Sequence, residues 1–212
     1  LRREAWFAAP VACASCHEFA FPGQAGALMQ ATLREHAASA YAATSCVDCH
    51  MPRRADGRRD HGFAASRDPE VLRRALTVTA SREGSTVRLV LRPGWVGHAM
   101  PTGDLFRRLL VEAEVAGDDW QVLAADARAL GRSFAAEGGR RVPVADARVG
   151  AARPEPVEVA LELGDAAEGR TIRWRLLYER VSFVDDLGAA EVEARTTVAE
   201  GALTASARRR GR

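Results

Sequence analysis

Hydrophobic and polar positions change their period about a third of the way along the chain. From Leu76 they alternate, which is the signature of a strand with one buried face. Thr77-Val78-Thr79-Ala80 and Thr86-Val87-Arg88-Leu89-Val90-Leu91 read as strands, joined by a hairpin turn at Glu83-Gly84-Ser85. Leu109–Val115 and Trp120–Ala124 make a second pair around Gly117-Asp118-Asp119. Further strands are expected at Val157–Leu163, Thr171–Tyr178 and Glu191–Val198; in the middle one Ile172, Trp174, Leu176 and Tyr178 alternate with Arg173, Arg175 and Leu177. About seven short strands with turn signals between them predict an antiparallel, Ig-like β-sandwich.

Before Leu76 the pattern is different. Leu28, Met29, Thr32, Leu33, His36 and Ala40 recur at helical spacing, which predicts a helix over Gly26–Ala43. Pro52–Arg59 is a Gly- and Arg-rich loop, and Asp68-Pro69-Glu70 opens a short helix with Asp68 as N-cap. The fold class is therefore α+β: a small helical and loop module over residues 1–75, the sandwich over 76–205, and a basic tail over 206–212. No phosphate-binding Gly loop and no serine nucleophile elbow is present.

Composition changes little in this picture. The 212 residues are 47% hydrophobic, enough for a core. All 30 basic residues are Arg, there is no Lys or Asn, and Ile172 is the one isoleucine, a bias that fits GC-rich coding. The formal net charge is +2 and the basic residues alternate with acidic ones except at the ends, so nucleic-acid binding is not indicated. The short basic run Arg208–Arg212 reads as a frayed end. No run of about 18 apolar residues offers a transmembrane helix. The chain begins at Leu1 with no charged-then-apolar leader, which reads as a processed or trimmed chain.

The chemistry is concentrated in the first 75 residues, which hold all four Cys and four of the five His. Cys13-Ala14-Ser15-Cys16-His17 and Cys46-Val47-Asp48-Cys49-His50 each place two thiols at one spacing with an imidazole directly after the second. Each thiol can add to a vinyl group of a porphyrin, and the His then falls beneath the iron as proximal ligand, so the pair implies two covalent haem c groups. Four thiolates could instead hold zinc, but 29 residues separate Cys16 from Cys46, against about 15–20 in such ribbons. A zinc ribbon also gives no reason for the trailing His, and a redox dithiol explains one pair, not two. Haem attachment of this kind takes place outside the cytoplasm, so a periplasmic, surface or extracellular protein is expected. No Cys remains for a structural disulfide.

With His17 and His50 as proximal ligands, His36, His61 and His98 remain, with Met29, Met51 and Met100. Met51 follows His50 directly and cannot reach the opposite face of the same iron. His61 lies in a polar loop, where Asp60 or a backbone carbonyl could orient its ring; the alternative is a solvated loop His. His98 sits in the Gly- and Pro-rich segment Gly94–Asp104, shaped to let backbone approach something flat; the alternative is a buried loop His bonded to backbone. His61 and His98 are the favoured distal ligands, one per iron. His36, on the predicted helix, is the lesser candidate, usable for a haem of a neighbouring chain or as a half-buried helix residue.

Together, Cys13–His17, Met29–Thr32, Cys46–Pro52, Asp60–Phe63 and Gly97–Asp104 resemble multihaem c-type cytochromes of the cytochrome c-554-like group, over roughly residues 1–115. The resemblance implies bis-histidine haems with His61 and His98 as distal ligands, a haem module followed by a β-sandwich, and a place in electron-transfer chains, in some cases within larger assemblies or filaments. Relatives often carry four or more haem motifs, and two stand here. The expected function is transfer of electrons between redox partners, themselves cytochromes, through two haems of low potential, since bis-His ligation lacks the Met that raises it. The expectation is a carrier, not an enzyme. The alternatives are a haem enzyme of peroxidase or small-molecule oxidoreductase type with one open iron, with Asp60 and Asp104 as acid–base neighbours, and a subunit of a homo- or hetero-assembly.

Overall fold

The run Gly26–Ala43 is not one helix. The computed structural model describes residues 9–63, 65–103, 105–117, 121–150, 155–184 and 190–205. In it α1 (Pro10–His17) leads into β1 (Glu18–Phe21), which pairs antiparallel with β2 (Gln24–Ala31) across Pro22-Gly23. Gly23 supplies the positive φ of 72° that this turn needs. Only Thr32–Ala37 (α2) is helical, and turns carry the chain to Ser45. The correction has a physical cause. A short apolar run satisfies either period, and here a partner strand lies two residues upstream to take the backbone hydrogen bonds. α3 (Cys46–His50) and α4 (Pro69–Ala75) follow. The start of α4 is as expected: Asp68 accepts hydrogen bonds from the Glu70 and Val71 N–H groups at 2.9 and 3.3 Å.

The alternation from Leu76 builds two sheets. One holds β3 (Leu76–Glu83), β4 (Thr86–Pro93) and β9 (Val157–Glu162) in the order β3-β4-β9. The other holds β5 (Arg107–Ala116), β6 (Val122–Leu130), β10 (Ile172–Val184) and β11 (Ala190–Leu203) in the order β11-β10-β5-β6. Gly84, at φ +60°, closes the expected β3–β4 hairpin. Along β5 the residues Leu109, Val111, Ala113 and Val115 are buried while their neighbours are partly exposed. Val87, Leu89, Leu91 and Leu161 from one sheet meet Leu109, Val111, Ile172 and Leu176 from the other, all fully buried. Each such side chain contributes about 1.5–3 kcal/mol. The chain changes sheet between β4 and β5, between β6 and β9, and between β9 and β10, the crossing pattern of an Ig-like sandwich. On the outer face Glu112 and Glu114 pair with Arg175 and Arg173 at 2.6 and 3.1 Å. Trp120, the Asp118-Asp119 turn, Asp104 and the tail 206–212 lie outside the described residues.

One feature was not expected. β7 (Arg132–Glu137) and β8 (Arg140–Asp146) form a separate hairpin turning at Gly138-Gly139, with φ of 56° and 76°. It lies against the β1–β2 hairpin. The Arg132 guanidinium donates to the Leu28 and Met29 carbonyls at 2.7 and 2.8 Å, Phe134 meets Phe21 edge-on at 5.0 Å, and the Arg141 N–H donates to Gln24.

Candidate functional site

Both Cys-x-x-Cys-His motifs lie on single short helices, α1 and α3. Pro10 starts α1, a position where its missing N–H costs nothing. α3 is pinned from outside: Arg59 donates to the Val47 and Met51 carbonyls at 3.1 and 3.2 Å and pairs with Asp48. The four thiols are free. Burial pushes the Cys46 thiol up, and a hydrogen bond and charge from neighbouring Cys13 push it further; burial likewise raises Cys49, helped by the charge of Asp48. The first cysteines of the two motifs therefore lie near one another, and the motifs open on common ground.

That ground is one cavity with about 1640 Å³ of atom-free space, counting the part open to solvent. Cys13, His17, Cys46, Cys49, His50 and His98 all line it. Cys16 does not, and stands exposed. The thiols do not converge as a zinc site requires: among the described residues no three His, Cys, Asp or Glu side chains are gathered to hold a metal ion.

The histidines divide sharply. The His50 and His98 rings are parallel within 4°, with centroids 6.2 Å apart. His98 donates its Nδ1–H to the Ala99 carbonyl at 3.0 Å, so Nε2 keeps its lone pair. Burial also lowers the pKa of His98, only partly offset by that hydrogen bond, which favours the neutral ring. Phe63 stacks on His50, centroids 5.3 Å apart. His61 has the same tautomer, through an Nδ1–H bond to the Arg59 carbonyl at 3.0 Å, so a backbone carbonyl rather than Asp60 orients it. Asp60 instead pairs with Arg54 and accepts the Gly62 N–H. His61 is exposed and does not line the cavity. His36 lines it but is buried, and its Nε2–H donates to the Thr44 carbonyl at 2.9 Å. That spends the nitrogen through which a histidine usually binds iron.

A partly buried polar chain, with Gln30 at its buried end, backs the exposed His17. The Gln30 carboxamide lies 2.9 Å from Nδ1 of His17 and 3.0 Å from the Thr32 hydroxyl, which is 2.8 Å from Thr102. Thr102 donates to Glu35 at 2.9 Å. Arg148 stands 2.8 Å from the other Glu35 oxygen, close in charge but off the N–H direction, so that oxygen has no aligned donor. Sequence reasoning missed Gln30, Glu35, Phe63 and Arg148. Only the fold joins them to the motifs, and Thr32 and Thr102 are 70 positions apart.

The donor set fits haem c. The second motif offers two thiols and an imidazole to the cavity, the first offers Cys13 and His17 with Cys16 exposed beside them, and the His50–His98 spacing suits one iron between two rings. An imidazole nitrogen binds a first-row metal at about 2 Å and the ring centre lies roughly 1 Å behind it, so two facing rings stand roughly 6 Å apart.

The fold is an α+β chain in which a seven-strand sandwich backs this cavity. It is similar to the crystal structure of a penta-heme cytochrome c552 from Thermochromatium tepidum, with a TM-score of 0.68 and 22% identity over 93% of this chain and 57% of that one. This chain thus spans little more than half the length of that protein. At this identity the likeness establishes the fold. No protein-family model matches the chain, and no curated protein does.

Proposed function

We propose that the chain carries two covalent haem c groups and transfers electrons between redox proteins outside the cytoplasm. Cys13 and Cys16 hold one haem with His17 beneath it; Cys46 and Cys49 hold the other with His50. The observation that carries this reading is the parallel His50–His98 pair at 6.2 Å. His98 closes the second face of the His50 iron, and the Ala99 carbonyl keeps its ring in the binding tautomer. The haem supplies one-electron chemistry; the protein supplies fixed imidazoles, which need little rearrangement when the charge changes. Cys13 and Cys46 line the same cavity and lie near one another, which brings the two attachment edges together and favours electron exchange between the haems. Two imidazoles and no methionine on the His50 iron favour a low potential. The partners are other redox proteins, cytochromes among them.

His61 is the distal ligand proposed for the His17 iron, and reaching it requires the 52–63 loop to move inward. Its exposed position favours a second reading, in which the His17 iron is open and binds a small molecule. Haem counting and absorption spectra with and without carbon monoxide separate the two. Two haems per chain with no carbon monoxide effect support the carrier. Two haems with one carbon monoxide adduct support the open iron, and no haem removes both. In His98→Ala one additional haem per chain should bind carbon monoxide; a spectrum like that of the wild type would dismiss the axial pair. Among the described residues no helix is long and apolar enough to cross a membrane.

A further inference from the structure

His36 is left without a role by the reading above. It is buried, lines the cavity and faces the loop that carries His98. One edge of its ring donates to the Thr44 carbonyl, two residues before Cys46. The ring carbon next to the donating nitrogen, Cδ2, lies under Gly97: a Cβ built there would meet it at 3.3 Å and Tyr41 Cβ at 3.2 Å. The backbone can settle this closely because residue 97 has no side chain. The supporting turn is itself bonded, with the Ser39 hydroxyl donating to the His36 carbonyl at 2.8 Å and accepting the Tyr41 N–H at 3.0 Å. The preceding residue, Glu35, grips the other side of the loop by accepting the Ala99 N–H at 3.2 Å and the Thr102 hydroxyl at 2.9 Å. Consecutive residues of α2 therefore hold both chain neighbours of His98.

We propose that His36 is a positioning residue: it spans from the entry of the second Cys-x-x-Cys-His motif to Gly97 and sets where His98 stands relative to His50. The inference rests on the axial-pair reading. It replaces ligation, within this chain or in a neighbouring one, as the role of His36. The ring acts as a spacer with one anchored end. Removing it frees the loop to shift by a fraction of an ångström and the His98 plane to rotate away from the present 4°. Catalytic and binding geometries tolerate such misplacement poorly.

The test uses the haem-loaded full chain and two readouts: the ferric low-spin EPR signal, which senses the angle between axial imidazole planes, and carbon monoxide binding by the reduced protein. His36→Ala should alter one EPR component and add up to one carbon monoxide-binding haem per chain over wild type. His36→Gln offers an amide N–H to the Thr44 carbonyl and should restore both readouts. Gly97→Ala keeps His36 but pushes the loop from the other side, and should disturb the same EPR component. An unchanged His36→Ala spectrum overturns the proposal, as does a His36→Gln protein as altered as His36→Ala, the result expected of a true ligand. If His36→Ala fails to load haem, Gly97→Ala decides: a wild-type spectrum there overturns the proposal. An axial pair that His98→Ala leaves untouched is a separate failure, since it removes the underlying reading.

Discussion

At the scale of single residues, the two Cys-x-x-Cys-His motifs stand out in the sequence because each holds its whole donor set within five consecutive positions. His98 stands out by its setting, a loop dense in Gly and Pro that the structure brings beside His50. The loop's glycines also let it pack closely on the protein: Gly94 approaches the Arg74 carbonyl, and Gly97, which lines the cavity, approaches the His36 and Tyr41 side chains. Gln30 and Glu35 were not legible, since a lone amide or carboxylate carries no spacing signal until its partner is known. The nearness of Cys13 and Cys46 makes a prediction at this scale. In the haem-free chain a mild oxidant such as diamide should link Cys13 to Cys46, two thiols giving one disulfide, two protons and two electrons to the oxidant. Burial holds both thiols of the second motif less acidic than usual, so the reaction should be slow and should speed up as pH rises. Mass spectrometry of an unreduced digest reads the linkage. Pairing confined to Cys13–Cys16 and Cys46–Cys49 would contradict that nearness.

Elements were legible where one face is buried against another sheet. The β3–β4 hairpin, β5, β9, β10 and β11 all follow from alternation, because a register slip would turn every apolar side chain to water. The 26–43 segment failed for the opposite reason. Its apolar residues are few, and the choice between helix and strand fell to partners elsewhere in the chain, β1 and Arg132. β7–β8 had a sequence cue, the Gly138-Gly139 pair, but its strands are mostly exposed and lack strong alternation. Two predictions belong here. Gly94→Ala places a Cβ 2.6 Å from the Arg74 carbonyl, which is backbone and cannot swing aside; a cost of about 2 kcal/mol and a Tm lower by about 5 °C are expected in a thermal melt. The second concerns Asp146, at the end of β8. Burial raises its carboxyl, but paired hydrogen bonds from Arg148 at 2.8 and 2.7 Å outweigh this and hold it below the usual carboxylate range. A carboxyl depressed by folding stabilises fully above its unfolded value of about 4 and loses that contribution as pH falls through the folded one. Melts between pH 5 and pH 2 should therefore fall less steeply for Asp146→Asn than for the wild type, and identical slopes would remove Asp146 from the acid response.

At the scale of the whole molecule, the change of period at residue 76 marks a change of structure but not a linker: α4 ends at Ala75 and β3 begins at Leu76. The contacts that cross this point are polar as well as apolar. Arg132 holds the Leu28 and Met29 carbonyls, Thr32 meets Thr102, and Glu35 takes the Ala99 N–H and faces Arg148. Arg148 is itself buried and also donates to the Pro101 carbonyl at 3.2 Å, so freeing the first 75 residues would strand charged groups on both sides. In the haem-loaded protein the cost is larger still, because the proposed His50–His98 pair would tie the two segments through one iron. Segments joined in this way should unfold together. Thermal or denaturant unfolding followed by the Soret band, which reports ligation, and by far-ultraviolet circular dichroism, which reports the sandwich, should give coincident midpoints. In His98→Ala the Soret transition should move to lower temperature while the sheet transition moves less, because the iron tie is gone and the Glu35–Arg148 and Arg132 contacts remain. A wild-type protein whose Soret signal is lost well before its sheet signal would mean that the haem segment opens alone, and that the polar contacts across residue 76 are too weak to make the chain a single cooperative unit.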